Sequence, residues 1–157
     1  MQTFLPYPDY EKSLRVLDYR RLGKQRAEVL GILRSFQMKP DQDKTLGFRD
    51  PCKWMWWGHF NQLVEYGIVS CREWKRRGYK DNTEDQIAFY KDFFSSNNEL
   101  PFWFGDEEIH FTHQCVLKRK DPIFYGDVFP NADPEVGYIW PDCRHGIKWS
   151  KYQHELI

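Results

Sequence analysis

Apolar positions recur along this chain with a helical rather than an alternating period. Met1 to Pro8, broken by Pro6 and Pro8, reads as an extended arm. Leu14, Leu17, Leu22, Val29, Leu30 and Leu33 then mark one stripe that runs to Phe36. Asp9 precedes it as an acceptable N-cap, so a first helix is expected from Asp9 to about Phe36. Gly23 and Gly31 weaken its middle by up to about 1 kcal/mol each relative to alanine, which places a bend near Gly23. Lys39 to Asp50 is polar, contains Pro40 and Gly47, and reads as a loop. A second stripe of Trp56, Phe60, Leu63, Val64, Val69 and Trp74 predicts a helix that follows Pro51, runs to Arg77 and stops at Gly78. Thr83 and Gln86 have capping-box spacing and open a third helix to Phe94. Ser95 to Glu99 reads as a turn and Leu100 to Gly105 as an aromatic loop. Asp106 caps a fourth helix that ends near Lys120, because Pro122 follows. Beyond it, Pro, Gly and aromatics interrupt any helical pattern as far as Ile157.

The expected fold class is therefore mainly α. Residues 1–157 form a single compact helical domain with a long irregular C-terminal segment rich in Pro and aromatics. A chain of 157 residues is a normal size for one domain with its own core. It shows no repeat, low-complexity tract or linker. No apolar run approaches the length of a membrane span, and the start lacks the apolar run of a secretory signal. Cys52, Cys71, Cys115 and Cys143 are scattered without a CxxC pair, so reduced thiols in a cytoplasmic protein are expected.

Charge alters the picture only locally. Lys and Arg total 23 and so do Asp and Glu, so net charge gives no support for a nucleic-acid partner and any case rests on clustering. The first cluster is Val16 to Arg26, with Arg20, Arg21, Lys24 and Arg26 beside Asp18. Arg20 and Lys24 stand at i,i+4 and share a face, which suits a phosphodiester backbone or, alternatively, a solvated face with local ion pairs. The second is Arg72 to Lys80, where cations at a helix C-terminus also suit the dipole alone. The third, Lys118 to Lys120, feeds Phe124 and Tyr125, and fits either DNA contact or a capped helix end with buried rings. Aromatics make up 18% of the chain, with seven Trp, more than a routine core needs; such rings also stack on bases or wedge into a duplex.

His110 and His113 share a face of the fourth helix at i,i+3. No HExxH or twin CxxC accompanies them, so a pocket-lining pair or structural hydrogen bonding is favoured over zinc. No metal or organic cofactor is expected. His59, among Trp56, Trp57 and Phe60, is a candidate contact rather than a catalyst. GxGxxG, Walker and GxSxG sequences are absent.

Taken in order, Met1 to Pro6, Leu17 to Arg26, Met55 to His59, Cys71 to Tyr79, Pro101 to Gly105, His110 to Pro122 and Tyr138 to Pro141 resemble the pyrimidine-dimer DNA glycosylase family, the phage endonuclease V-like proteins, in a divergent bacterial and phage branch. The resemblance implies a helical domain that binds damaged duplex DNA, kinks it and displaces a base. It implies an N-terminal α-amine that attacks the sugar C1′, a Schiff base formed with help from a Glu of the first helix, and strand cleavage by β-elimination. α-Amines ionise near 7.7–8.0 in reference peptides, so a free-base fraction exists near neutrality.

Two positions depart from that pattern. Endonuclease V has Tyr-Arg-Glu-Leu where this chain has Tyr19-Arg20-Arg21-Leu22, so Arg21 stands at the catalytic carboxylate. Endonuclease V also presents a Thr amine after Met removal, whereas Gln2 is bulky and leaves Met1 as the nucleophile. On this reading Met1 attacks and Asp18 assists, with Glu28 the other acid a neighbouring turn offers. Arg20, Lys24 and Arg26 hold phosphates, and His59, His110, His113, Lys120 and Tyr125 are further DNA contacts. Tyr125 or a Trp fills the gap left by a displaced base. The expected partner is double-stranded DNA with a damaged or modified base, bound by a monomer. Two alternatives keep the DNA site: a transferase modifying a pyrimidine, with His110, His113 and Lys120 as catalytic candidates, and a non-catalytic DNA-binding module.

Overall fold

The computed structural model describes residues 1–38 and 50–150. Helices dominate, in the order α1 (Tyr10–Arg15), α2 (Tyr19–Gln37), α3 (Pro51–Met55), α4 (Phe60–Arg76), α5 (Glu84–Ala88), α6 (Glu107–Lys120) and α7 (Pro122–Tyr125). Strands β1 (Ile139–Asp142) and β2 (Ile147–Ser150) close the described chain as an antiparallel hairpin, with Trp140 opposite Trp149. The fold is mainly α, as the periodicity predicts. The loop expected over Lys39 to Asp50 lies outside the described residues except for Asp50, and so does the tail from 151 to 157.

Each helix boundary has a local cause. The first expected helix is two, broken at Val16 to Asp18 rather than bent at Gly23. Asp18 caps α2 by accepting from the Arg21 N–H at 3.3 Å, and its own N–H donates to the Tyr125 hydroxyl at 2.9 Å. The second expected helix breaks between Met55 and Phe60, where Gly58 takes a φ of 77°, a left-handed conformation that costs glycine little. The third shrinks to α5. Thr83 makes no capping bond there; Asp81 instead accepts from the Glu84 N–H at 2.8 Å, and the Gln86 amide turns back to the Asn82 carbonyl at 2.7 Å. α6 runs as expected, with the Asp106 carboxylate accepting from the N–H groups of Glu108 and Ile109.

α2 and α4 pack along each other, with α1 and α5 against α4. Gly67 permits the closest approach: a Cβ there would lie 2.6 Å from Val29 and 3.0 Å from Ile87, so α2, α4 and α5 meet at bare backbone. Leu14, Leu22, Leu33, Leu63 and Tyr66 fill the space between helices. Trp56 and Trp103, both fully buried, meet edge to face at 5.2 Å, and the Trp103 indole N–H donates to the Met55 carbonyl at 2.6 Å. The hairpin is tied to α3 through the Cys143 N–H, which donates to the Trp54 carbonyl at 2.9 Å. All four cysteines are free thiols. Among the described residues no helix is long and apolar enough to cross a membrane.

Candidate functional site

Gln2 to Pro6 are buried yet belong to no helix or strand. Backbone polar groups removed from water need partners, and here side chains supply them. The Gln2 N–H donates to Glu28 Oε2 at 3.1 Å and the Phe4 N–H to Gln25 Oε1 at 2.9 Å, while Gln25 Nε2 donates to the Gln2 carbonyl at 3.3 Å. The Tyr66 hydroxyl sits 2.7 Å from the Phe4 carbonyl. Leu5 is held on both sides: its N–H donates to His113 Nδ1 at 2.8 Å and its carbonyl accepts from His110 Nδ1 at 2.7 Å. The Gln114 amide donates to the Pro6 carbonyl at 2.9 Å. The arm is thus threaded through α2, α4 and α6, and Met1 is fixed where it ends.

Met1 ends in a cavity of about 1030 Å³. α2 contributes Arg20 and the polar stripe Arg21, Lys24, Gln25 and Glu28, whose i, i+3, i+4, i+7 spacing gives one helical face. Arg119 and Lys120 come from the end of α6, Phe124 from α7, and Tyr138, Trp140 and Trp149 from the C-terminal segment. Among the described residues Arg20, Lys24, Arg119 and Lys120 have no carboxylate within ion-pair distance. The wall therefore presents net positive charge beside aromatic surface, a composition suited to a phosphodiester and a base.

Glu28 and Asp18, which both line the cavity, differ. Burial raises the Glu28 carboxyl from its usual value, against the opposing pull of the Gln2 N–H and the chain's amine. The amine itself lies 3.7 Å from Asp50 Oδ2. At Asp18 burial also works against the charge, but hydrogen bonds from Tyr125 and Arg21 outweigh it and hold the carboxyl below its usual range. Asp18 caps α2, pairs with Arg21 at 3.1 Å and accepts the Tyr125 hydroxyl proton.

Of the residues singled out from the sequence, Met1, Asp18, Arg20, Arg21, Lys24 and Lys120 line this cavity together. The others stand elsewhere. Arg26 forms an ion pair with Asp81 and lies 4.5 Å over the Trp74 ring, so its charge is already used. His59 is the residue before α4, with Nδ1 2.9 Å from the Glu99 carbonyl. His110 and His113 do share a face, but that face grips Leu5 rather than a ligand. Burial, and then the neighbouring His110, lowers His113 to about 3, so it stays neutral and accepts. His110 is neutral as well: Nδ1 donates to Leu5 and Nε2 accepts from the Gly105 N–H at 3.0 Å. Tyr125 is fully buried against Phe129 and bonded to Asp18, so its ring is not available to fill a duplex gap.

Sequence reasoning did not assign Gln2 or Trp149 to a site; it held Arg119 only within the basic cluster Lys118 to Lys120, and Tyr138 and Trp140 only within a segment of the family resemblance. It also gave Glu28 second place, although the stripe from Arg21 to Glu28 carries that signal.

Comparison with curated proteins and with solved structures finds no match. The family model described as pyrimidine dimer DNA glycosylase matches residues 1–87, which include the arm, α2 and α4. With more than half of its 157 residues matched, the chain belongs to the pyrimidine dimer DNA glycosylase family.

Proposed function

We propose that this chain is a DNA glycosylase with AP-lyase activity, in which the Met1 α-amine is the nucleophile and Glu28, rather than Asp18, is the assisting acid and base. One observation carries this: the arm, its Gln2 N–H held by the Glu28 carboxylate, brings the amine into a cavity that also holds Arg20, Lys24, Arg119 and Lys120, none of them within ion-pair distance of an acid among the described residues. Arg21 and Glu28 are seven residues apart, two helical turns, so an acid missing at Arg21 is supplied farther along the same face.

Arg20, Lys24, Arg119 and Lys120 hold the backbone around a damaged pyrimidine nucleotide. The amine attacks C1′, the N-glycosidic bond breaks, and the base departs with its electron pair and takes a proton. Opening of the sugar leaves a Schiff base. Glu28 moves protons on and off the amine and sugar, a task served by a carboxyl that burial raises above its usual value. Glu28 takes the C2′ proton, β-elimination breaks the bond from C3′ to its phosphate oxygen, which leaves with the electron pair, and water hydrolyses the Schiff base to free the amine.

The test is borohydride trapping with untagged protein on abasic and UV-irradiated duplexes. A reduced adduct mapped to Met1 is expected, and Glu28→Gln lowers its rate by about a hundredfold or more. DNA binding without an adduct overturns the lyase reading. Of the transferase alternative's three catalytic candidates, His110 and His113 hold Leu5 and Lys120 alone lines the cavity.

A further inference from the structure

We infer that α7 is a wedge, with Ile123 and Phe124 entering the base stack of duplex DNA while the cations beside them hold its backbone. The inference rests on the DNA-binding reading of the cavity and adds the element that opens the duplex. Ile123 is 96% exposed, more than any other large hydrophobic side chain among the described residues. Scattered exposed apolar residues are ordinary. This one follows Arg119 and Lys120 and adjoins Phe124, 45% exposed, whose ring lines the same cavity as Arg20 and Lys24.

The support beneath the pair is rigid. Asp121 caps the turn by accepting from the Phe124 N–H at 3.0 Å, and Pro122 opens α7 with its φ fixed. The next residue, Tyr125, is buried, stacks on Phe129 at 5.7 Å and 9°, and bonds through its hydroxyl to Asp18 at the start of α2. A tyrosine and an aspartate thus lock a four-residue helix whose other ring and aliphatic side chain are left facing water. A wedge needs that stiffness, because unstacking a base step opposes insertion. Its occupant is a base step of a duplex, since the cations of the adjoining cavity suit the phosphates beside that step. α7 lies beyond residues 1–87, outside the stretch shared with the family model.

The test uses the full chain and a duplex carrying a non-cleavable abasic analogue with 2-aminopurine beside it. Wild-type protein is expected to raise 2-aminopurine fluorescence. Ile123→Ala, at a site already in water, leaves the fold intact, abolishes most of that rise and weakens duplex binding by about tenfold. Affinity for single-stranded DNA of the same sequence, already open, stays at the wild-type value. Equal fluorescence and affinity for Ile123→Ala and wild type overturn the wedge alone. An equal loss on single strands also overturns it, by showing a general contact. Absence of any wild-type DNA binding sinks both this inference and the function it rests on.

Discussion

The end of α4 and the cavity face of α2 are both crowded with arginine and lysine, and the fold treats them oppositely. At the end of α4, Glu84 meets Arg72 and Lys75 at 3.4 and 2.7 Å, and Glu73 meets Arg76 and Arg77 at 2.7 and 3.0 Å. Every one of those guanidinium and ammonium groups has an acid beside it. On α2 the charge is divided: Arg26 goes to Asp81 and Arg21 to Asp18, while Arg20 and Lys24 line the cavity with no acid within ion-pair distance among the described residues. A chain of zero formal net charge makes a cationic face by gathering more cations than acids there: Asp18, Glu28 and Asp121 share the cavity with Arg20, Arg21, Lys24, Arg119 and Lys120. What separates a binding face from a neutralised one is the folded position of acids, not the density of basic residues in the sequence.

The largest expected effect tests that division directly. Replacing Arg20 and Lys24 together by Ala lowers DNA affinity by about a hundredfold and reduces the slope of log affinity against log salt by about two, one for each lost phosphate contact. Anisotropy titrations at several salt concentrations measure both. The matched pair Arg72→Ala and Lys75→Ala changes affinity by less than about twofold. Equal losses from the two pairs would erase the distinction.

Next in size is Arg26→Ala. It leaves Asp81 without its cation and removes a ring contact, costing about 2 kcal/mol of stability by urea unfolding, while DNA affinity stays put. A loss of affinity without a loss of stability would return Arg26 to the cavity side.

The arm gives a pH-dependent effect on the order of 1 kcal/mol per pH unit. Unfolded His113 takes a proton near 6.5, whereas the folded residue does so only near 3. The unfolded state therefore binds more protons between those values, and stability falls as pH drops from 6.5. His113→Asn keeps an acceptor toward the Leu5 N–H and flattens this part of the melting-temperature profile. An unchanged profile would show that His113 does not set it. Smallest is Glu84→Gln, which releases Arg72 and Lys75 and raises non-specific DNA affinity by about twofold. No gain would mean that the position of this face, and not its charge, keeps it from DNA.

What was legible from the sequence follows the range of the interactions involved. α6 and its Asp106 cap are local, and they stand where the sequence predicts. The break before α2 is not local, because the Tyr125 hydroxyl that fixes Asp18 comes from 107 residues away, and glycine propensity pointed to Gly23 instead. The hairpin was hidden because Pro141 argues against a strand and the pair has only four residues on each side. In the site, the cations of α2 and the proximity of Met1 were readable from pattern and resemblance. Arg119, Tyr138, Trp140 and Trp149 join it only through the packing of distant segments. The shared face of His110 and His113 was correctly read from spacing, but its occupant, the backbone of Leu5, is set by contacts 105 and 108 residues apart.

The side-chain clasp around Gln2 to Pro6 also orders events during synthesis. The arm leaves the ribosome well before His110, His113 and Gln114, which must seat it. Until α6 emerges, the Leu5 and Pro6 backbone groups lack the side chains that satisfy them. Once seated, the arm is shielded by the fold it completes.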